Sequence, residues 1–236
     1  MNLQEHYNKL YKESIREISS DNYEIDPMIQ AENDRRFGMS LLIRPPIAVK
    51  NEIQKFLEEL KGIEPHQYYY PNSDIHITVI SIISCYDGLM LPNLNVPAYI
   101  EQIGNSLKNG QKISISCQGV TASPSCIMIQ GFMEDNSLNT IRNNLRRDFK
   151  NSDLEQSMDE RYLIQTAHAT VFRFTEPLKQ KERFLELIEN YRNHDFGTFQ
   201  ANTLELSYND WYHREKLVTK LHEFKIGNSN VKTQQG

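Results

Sequence analysis

Two short segments of the chain carry the same chemically useful side chains in the same order. His76-Ile77-Thr78-Val79 and His168-Ala169-Thr170-Val171 each run His, apolar, Thr, apolar, inside stretches whose apolar and β-branched residues predict strands. Side chains two residues apart in a strand point to the same face, so each His shares a face with its Thr. Imidazoles exchange protons near neutral pH, and hydroxyls donate hydrogen bonds to phosphate oxygens. We therefore expect the two histidines to act as acid and base on a phosphate held by Thr78 and Thr170, without a metal ion or other cofactor.

Either motif taken alone is more typical of a core histidine beside a strand threonine, whereas the matched pair favours one shared site. The order of predicted elements supports the pairing, because a strand, a helix and a His-bearing strand occupy 37–84 and recur over 126–174. Two copies of about ninety residues indicate a duplicated fold rather than a solenoid. The sequence thus predicts an α+β, bilobal fold, with two antiparallel-sheet lobes and outer helices around a central groove.

Hydrophobic periodicity and turn residues give the approximate bounds of the elements. Predicted helices span 3–18, 47–60, 99–107, 138–149 and 179–192, the second of them closed by Gly62. Predicted strands span 37–43, 74–84, 113–117, 126–129, 163–174, 199–208 and 217–226.

Three segments of different character divide the chain. Residues 1–36 hold five Lys and Arg against eight Asp and Glu, and are interpreted as a helical extension and linker outside the central fold. Residues 37–227 form the two-lobed domain, and the polar residues 228–236 are expected to be a flexible tail.

Composition limits the class of protein. The 236 residues carry a net charge of −5, which argues against a long nucleic acid gripped along its length and leaves room for a small or end-bound phosphate. No apolar run fits a membrane span, and the first residues lack the layout of a signal peptide, so a cytoplasmic location is expected. Three cysteines without CxxC spacing indicate neither a disulfide framework nor a zinc site. A monomer is slightly favoured.

The paired motifs resemble those of the 2H phosphoesterase superfamily, which includes the LigT-like 2′-5′ RNA ligase and cyclic phosphodiesterase families. The resemblance covers about 37–226, including Tyr68-Tyr69-Tyr70-Pro71 before the first motif and the closing strands from Ala201. The extension 1–36 departs from the minimal pattern of the family.

This resemblance implies hydrolysis of a cyclic or 3′-5′ phosphodiester, with 2′,3′-cyclic phosphate of a nucleotide or RNA end as the leading substrate. His76 would protonate the leaving oxygen and His168 would activate water, although these roles can swap with substrate orientation. Two alternatives keep the same site: 2′-5′ RNA ligation, and degradation of a cyclic-oligonucleotide signal. A third is a non-catalytic module that binds a nucleotide or RNA end.

Aromatic residues near the motifs are weaker candidates for stacking a base. Tyr70 directly precedes the first motif strand, and Trp211 and Tyr212 lie in a predicted hairpin between the last strands. An ordinary core, loop or hairpin position is the more usual explanation for each of them.

Basic residues and the other histidines are interpreted as structural. Arg173 lies at an odd offset from His168 and should face away from the groove. The helix arginines are expected on a solvated face, Arg35 and Arg36 are ambiguous, and the remaining histidines are expected at the surface. These helix arginines are Arg142, Arg146 and Arg147, and these histidines are His6, His66, His194, His213 and His222.

Overall fold

A computed structural model describes residues 2–108 and 110–227, and the predicted tail 228–236 lies outside them. Helices of this described part are α1 (Leu3–Ser19), α2 (Ile47–Ile63), α3 (Val96–Ser106), α4 (Ser137–Lys150) and α5 (Lys181–Asn190). Its strands are β1 (Arg36–Ile43), β2 (Tyr68–Tyr69), β3 (Ile77–Asp87), β4 (Ile113–Ser123), β5 (Cys126–Met133), β6 (Ala169–Arg173), β7 (Asp195–Ala201), β8 (Thr203–Asp210) and β9 (Thr219–Lys225).

These strands form two antiparallel sheets, so the α+β prediction is confirmed. The first sheet has the order β3-β1-β8-β9 and the second has the order β2-β6-β5-β4-β7. Within the first sheet β1 and β3 are neighbours joined through α2, and within the second β5 and β6 are neighbours joined through α4. The predicted repeat of strand, helix and His-bearing strand therefore builds the corresponding half of each sheet.

The interpretation that placed 1–36 outside the central fold is wrong for its helix. The buried face of α1 lies against β4, where Tyr7 is 0% exposed and the Ser14 hydroxyl donates to the Ala122 carbonyl at 2.8 Å. The hydroxyl of Tyr7 also donates to the Gly131 carbonyl on β5 at 3.2 Å. Amphipathic periodicity predicts such a helix but not the surface that its apolar face will cover.

Several predicted element bounds differ from the structure. The predicted strand 163–174 is a strand only over Ala169–Arg173, and the predicted strand 74–84 begins only at Ile77, so both motif histidines precede their strands. Two further differences have local reasons. The predicted strand 199–208 is two strands separated by Asn202, of which β7 joins the second sheet and β8 the first. Gly62 does not close α2, which continues to Ile63 and ends where the Glu64 N–H bonds to the Leu60 carbonyl. A glycine in a last helical turn costs little enough for the capping bond to decide the end.

Buried aliphatic and aromatic residues from both sheets and from the helices form one core. All three cysteines are free and buried. Across 2–108 and 110–227, no cluster of three or more His, Cys, Asp or Glu is arranged to hold a metal ion. No helix in that part of the chain has the length and apolar character to cross a membrane.

Candidate active site

A groove between the two sheets brings both motifs together. His76 and Thr78 line one side, and His168 and Thr170 line the other. Each histidine lies one residue before its strand, since β3 begins at Ile77 and β6 begins at Ala169. The four side chains that the sequence singled out therefore share one cavity, as expected from the alternation of faces along a strand.

Both motif strands contain a bulge directly after the threonine. In the first sheet Leu42 pairs with Thr78 and Leu41 with Ile80, so Val79 has no partner. In the second sheet Met128 pairs with Thr170 and Ile127 with Phe172, so Val171 has none. A bulge inserts one extra residue and reverses the alternation of faces beyond it. Residues three positions after each threonine therefore return to the groove.

This reversal explains the position of Arg173, for which the sequence prediction was wrong. Arg173 lines the groove, as does Ser81 at the equivalent position of the first motif. The Arg173 Nε donates to the Tyr70 hydroxyl at 3.0 Å, and its side chain keeps 15% exposure. A groove that contains this guanidinium attracts anions such as phosphate.

The two motif histidines have different hydrogen-bond partners at Nδ1. In His76 this atom lies 2.7 Å from the Asp74 carbonyl oxygen, which can only accept, so Nδ1 carries the hydrogen. In His168 it lies 2.7 Å from the Thr166 hydroxyl, which can accept or donate. Burial lowers the pKa of each imidazole to about 4. Both rings are therefore neutral at pH 7 when no anion is bound.

Solved structures match this architecture, whereas no family model and no curated protein matches the sequence. TT0787 of Thermus thermophilus gives a TM-score of 0.53 at 13% identity, over 82% of this chain and 100% of that one. E. coli LigT in complex with 3′-AMP gives 0.55 at 11% identity, over 81% and 98%. A protein described as a phosphoesterase gives 0.52 at 11% identity, over 81% and 98%. The chain has the 2H phosphoesterase fold.

A third imidazole enters the groove of this 2H phosphoesterase fold. His213 was expected at the surface, but it is 7% exposed and lines the cavity. Its ring centroid lies 3.9 Å from that of His76, with the ring planes inclined by 36°. Nothing in the sequence around it resembles the two motifs, so spacing alone does not identify it.

His6, His66, His194 and His222 are exposed, as predicted.

A buried arginine joins the two motif strands behind the groove. Arg142 was expected on a solvated helix face, yet it is 0% exposed. Its guanidinium donates to the carbonyls of Thr78 at 3.1 Å, Val79 at 2.8 Å and Thr166 at 2.7 Å. It lies on the buried stripe of α4 with Leu138, Ile141, Leu145 and Phe149, and that spacing is the sequence signal that could have indicated its burial.

The three aromatic candidates line the groove with different exposure. Tyr70 and Tyr212 are 2% and 1% exposed, so neither ring has an open face for a base. The Tyr212 hydroxyl donates to Asp26 at 2.8 Å, which fixes that side chain in the wall. Trp211 is partly exposed, and the guanidinium of Arg161 lies 4.6 Å from its ring centroid. Arg161 also lines the groove, and the sequence interpretation did not include it.

Proposed function

We propose that this chain is a metal-independent 2H-type phosphodiesterase that hydrolyses a cyclic phosphate or phosphodiester of a nucleotide or RNA end. The observation that carries the proposal is the meeting of two His–Thr pairs, one from each sheet, in a single groove. Two imidazoles supply an acid and a base, and two hydroxyls with one guanidinium supply donors to phosphate oxygens. The leading substrate is a 2′,3′-cyclic phosphate.

The partners at Nδ1 favour a division of roles between the histidines. A general base needs a lone pair on the nitrogen that faces the substrate, which requires the hydrogen to stay on the other nitrogen. The Asp74 carbonyl enforces that state in His76, whereas the Thr166 hydroxyl permits either tautomer in His168. An imidazolium carries hydrogen on both ring nitrogens, so a histidine that acts as acid does not need a partner that fixes its neutral tautomer. The Thr166 hydroxyl is therefore compatible with an acid. We assign His76 as base and His168 as acid, the reverse of the assignment first drawn from the family resemblance.

With these roles, the two histidines and one water molecule account for every bond and proton transfer of the hydrolysis. A water oxygen bonds to phosphorus while its proton passes to Nε2 of His76. The bond between phosphorus and one ribose oxygen breaks, and that oxygen takes a proton from Nε2 of imidazolium His168. The anionic phosphate raises the pKa of the imidazole that must be charged, which offsets the lowering by burial. The product is a phosphomonoester with a free hydroxyl.

The rest of the groove supports a nucleotide ligand. The Arg173 guanidinium lines the groove 3.7 Å from the Asp26 carboxylate, and we assign it to the phosphate. Among the aromatic rings of the groove, Trp211 and Tyr162 keep exposed surface that a base can contact. E. coli LigT, with which this chain shares its fold, has been crystallised with 3′-AMP, ATP and NADP+. A small nucleotide or an RNA end suits the acidic balance of the chain better than a long nucleic acid.

Turnover of a substrate panel in EDTA tests the proposal. The panel holds 2′,3′-cyclic and 3′,5′-cyclic nucleotides, cyclic dinucleotides and 2′-5′-linked oligonucleotides, with RNA ends added for ligation. His76→Ala and His168→Ala should each lower kcat/KM by at least about 100-fold, the usual contribution of a general acid or base. His194→Ala changes an exposed histidine and is the matched control.

Each other outcome identifies an alternative. Joined RNA ends would indicate 2′-5′ ligation, and turnover confined to cyclic dinucleotides would indicate degradation of a signal. Tight binding of a nucleotide without product would indicate a binding module. Full activity in both alanine variants would refute the assigned histidines.

A further inference from the structure

The turn from Asp210 to Glu215 places an unassigned imidazole on the face of His76. The His213 ring centroid lies 3.9 Å from that of His76, close enough for face contact between the rings. His213 comes from the end of β8 and His76 from the start of β3, two strands separated by β1 in the first sheet. The contact is therefore made by the tertiary fold and not by neighbouring residues.

The backbone of this turn is held in a conformation that most side chains avoid. His213 has a φ of +57°, in the left-handed region that disfavours residues with a Cβ. The buried Asp210 carboxylate accepts from the Arg214 N–H at 2.8 Å and from the Arg214 Nε at 2.7 Å. It also accepts from the Tyr212 N–H at 3.3 Å. These bonds maintain the strained geometry that directs His213 inward.

The same turn is attached to the residue that orients His76. The Glu215 N–H donates to the Asp74 carboxylate at 3.0 Å, and the Asp74 carbonyl accepts from Nδ1 of His76 at 2.7 Å. One residue, Asp74, thus ties the turn to the edge of the His76 ring while His213 covers its face. A hydrogen bond at one ring nitrogen fixes a position and a tautomer, and contact on the face limits rotation of the ring.

His213 is suited to contact and not to proton transfer. Burial, together with the neighbouring His76 and the cation of Arg44, holds its pKa well below the usual range, so the ring stays neutral. Its Nδ1 is buried and has no hydrogen-bond partner among the described residues. A neutral ring can remain in contact with His76 when that imidazole gains a proton, whereas a second cation would repel it.

We propose that His213 is a positioning residue that stacks on His76 and holds its Nε2 toward the groove. The proposal rests on the proposed function for the role of His76 as base. It makes the Asp210–Glu215 turn a part of the site that neither motif indicates.

Two substitutions at one position separate the ring contact from other effects. His213→Phe keeps an aromatic face and loses the nitrogens, whereas His213→Asn loses the ring and tolerates the left-handed backbone. We expect kcat to fall about tenfold in the Asn variant with KM nearly unchanged. A His76 ring held only by its Nδ1 bond spends less time with Nε2 directed at the attacking water. The Phe variant should keep most of the wild-type kcat. His222→Asn, at an exposed site on β9, is the matched control.

NMR titration of the His76 ring in the free protein gives a readout that does not depend on turnover. Loss of the covering ring should raise the pKa of His76 toward 6.5 in the Asn variant, and the Phe variant should stay close to about 4. Rates are compared per folded molecule, with the folded fraction taken from thermal unfolding, because Phe disfavours the left-handed backbone at this position. If the Asn variant titrates and turns over like wild type, or if the folded Phe variant is as impaired as the folded Asn variant, the stacking role is refuted. If wild type turns over no substrate, the proposed function fails while the titration still decides the contact.

Discussion

The two motif strands share one backbone design and differ in what surrounds their histidines. Each has its histidine one residue before the strand and a bulge at the valine after the threonine. His76 is fixed by a carbonyl and covered by His213, whereas His168 is bonded to the Thr166 hydroxyl. The repeated strands thus supply symmetric geometry, and the residues around them make the two sides of the site unlike.

Beyond the bulges the two sides also present different chemistry to a ligand. Ser81 and Arg173 occupy equivalent positions, three residues after the two threonines, and both line the groove. A neutral hydroxyl thus occupies this position on one side of the groove, and a permanent cation occupies it on the other. An asymmetric phosphate ester would therefore bind in one preferred direction, which assigns a different task to each imidazole.

Arg142 joins the two strands, and its loss should have the largest effect. Arg142→Met leaves two β3 carbonyls and the Thr166 carbonyl before β6 without their charged donor, and we expect unfolding to cost about 3 kcal/mol less. Activity should fall with stability because the spacing of the two motifs depends on these bonds. Urea unfolding and kcat/KM measure the two effects. Arg147→Met, at a 64% exposed side chain of the same helix, should leave stability nearly unchanged, and equal losses would contradict the joining role of Arg142.

Arg173 and Ser81 test the asymmetry of the groove directly. Arg173→Gln should lower kcat/KM by about 10- to 100-fold, because a charged hydrogen bond to phosphate contributes about 1.5–3 kcal/mol. Ser81→Ala should lower it by less than about tenfold, since a neutral hydrogen bond contributes about 0.5–1.5 kcal/mol. Steady-state kinetics on the best substrate of the panel measures both. Equal losses would mean that the two sides of the groove contact the phosphate alike.

The sequence predicted the motif pair, the α+β class and the repeat because each depends on local spacing. It missed the inward position of Arg173, since a bulge is a property of strand pairing and leaves no mark in a single strand. It missed His213 because the contact joins strands that are distant along the chain. Burial of Arg142 was indicated by the stripe of α4, but a charged residue there is normally assigned to solvent.

Substitution of Thr166 tests whether its hydroxyl supports catalysis by His168. Thr166→Val removes the hydroxyl partner of Nδ1 and should lower kcat about fivefold, the loss expected for about 1 kcal/mol of hydrogen bonding. KM should change little, because the hydroxyl contacts the imidazole and not the substrate. Thr166→Ser restores the hydroxyl and should recover most of kcat. A Ser variant as poor as Val would place the effect in packing and not in the hydrogen bond.

A substitution in the N-terminal helix α1 should have the smallest effect on activity. We expect this effect to reach the site only through the second motif. Tyr7 bonds through its hydroxyl to both the carbonyl and the N–H of Gly131, at 3.2 and 3.3 Å. A Cβ on Gly131 would lie 1.9 Å from the Ala167 carbonyl oxygen, so this glycine lets β5 approach the backbone beside His168 closely. The Tyr7 hydroxyl bonds to this same glycine and therefore stabilises the close packing of β5 against Ala167.

Tyr7→Phe should lower the free energy of unfolding by about 1 kcal/mol and kcat by no more than about twofold. Tyr11→Phe, on the same helix, removes a hydroxyl that bonds to Glu189 on α5, away from the motif. It should leave kcat unchanged, although it also removes a hydrogen bond of a tyrosine hydroxyl. Thermal unfolding and steady-state kinetics of the two variants separate general support of the fold from support of His168. If both variants lose kcat equally, α1 acts through global stability, and the two motifs depend on it alike.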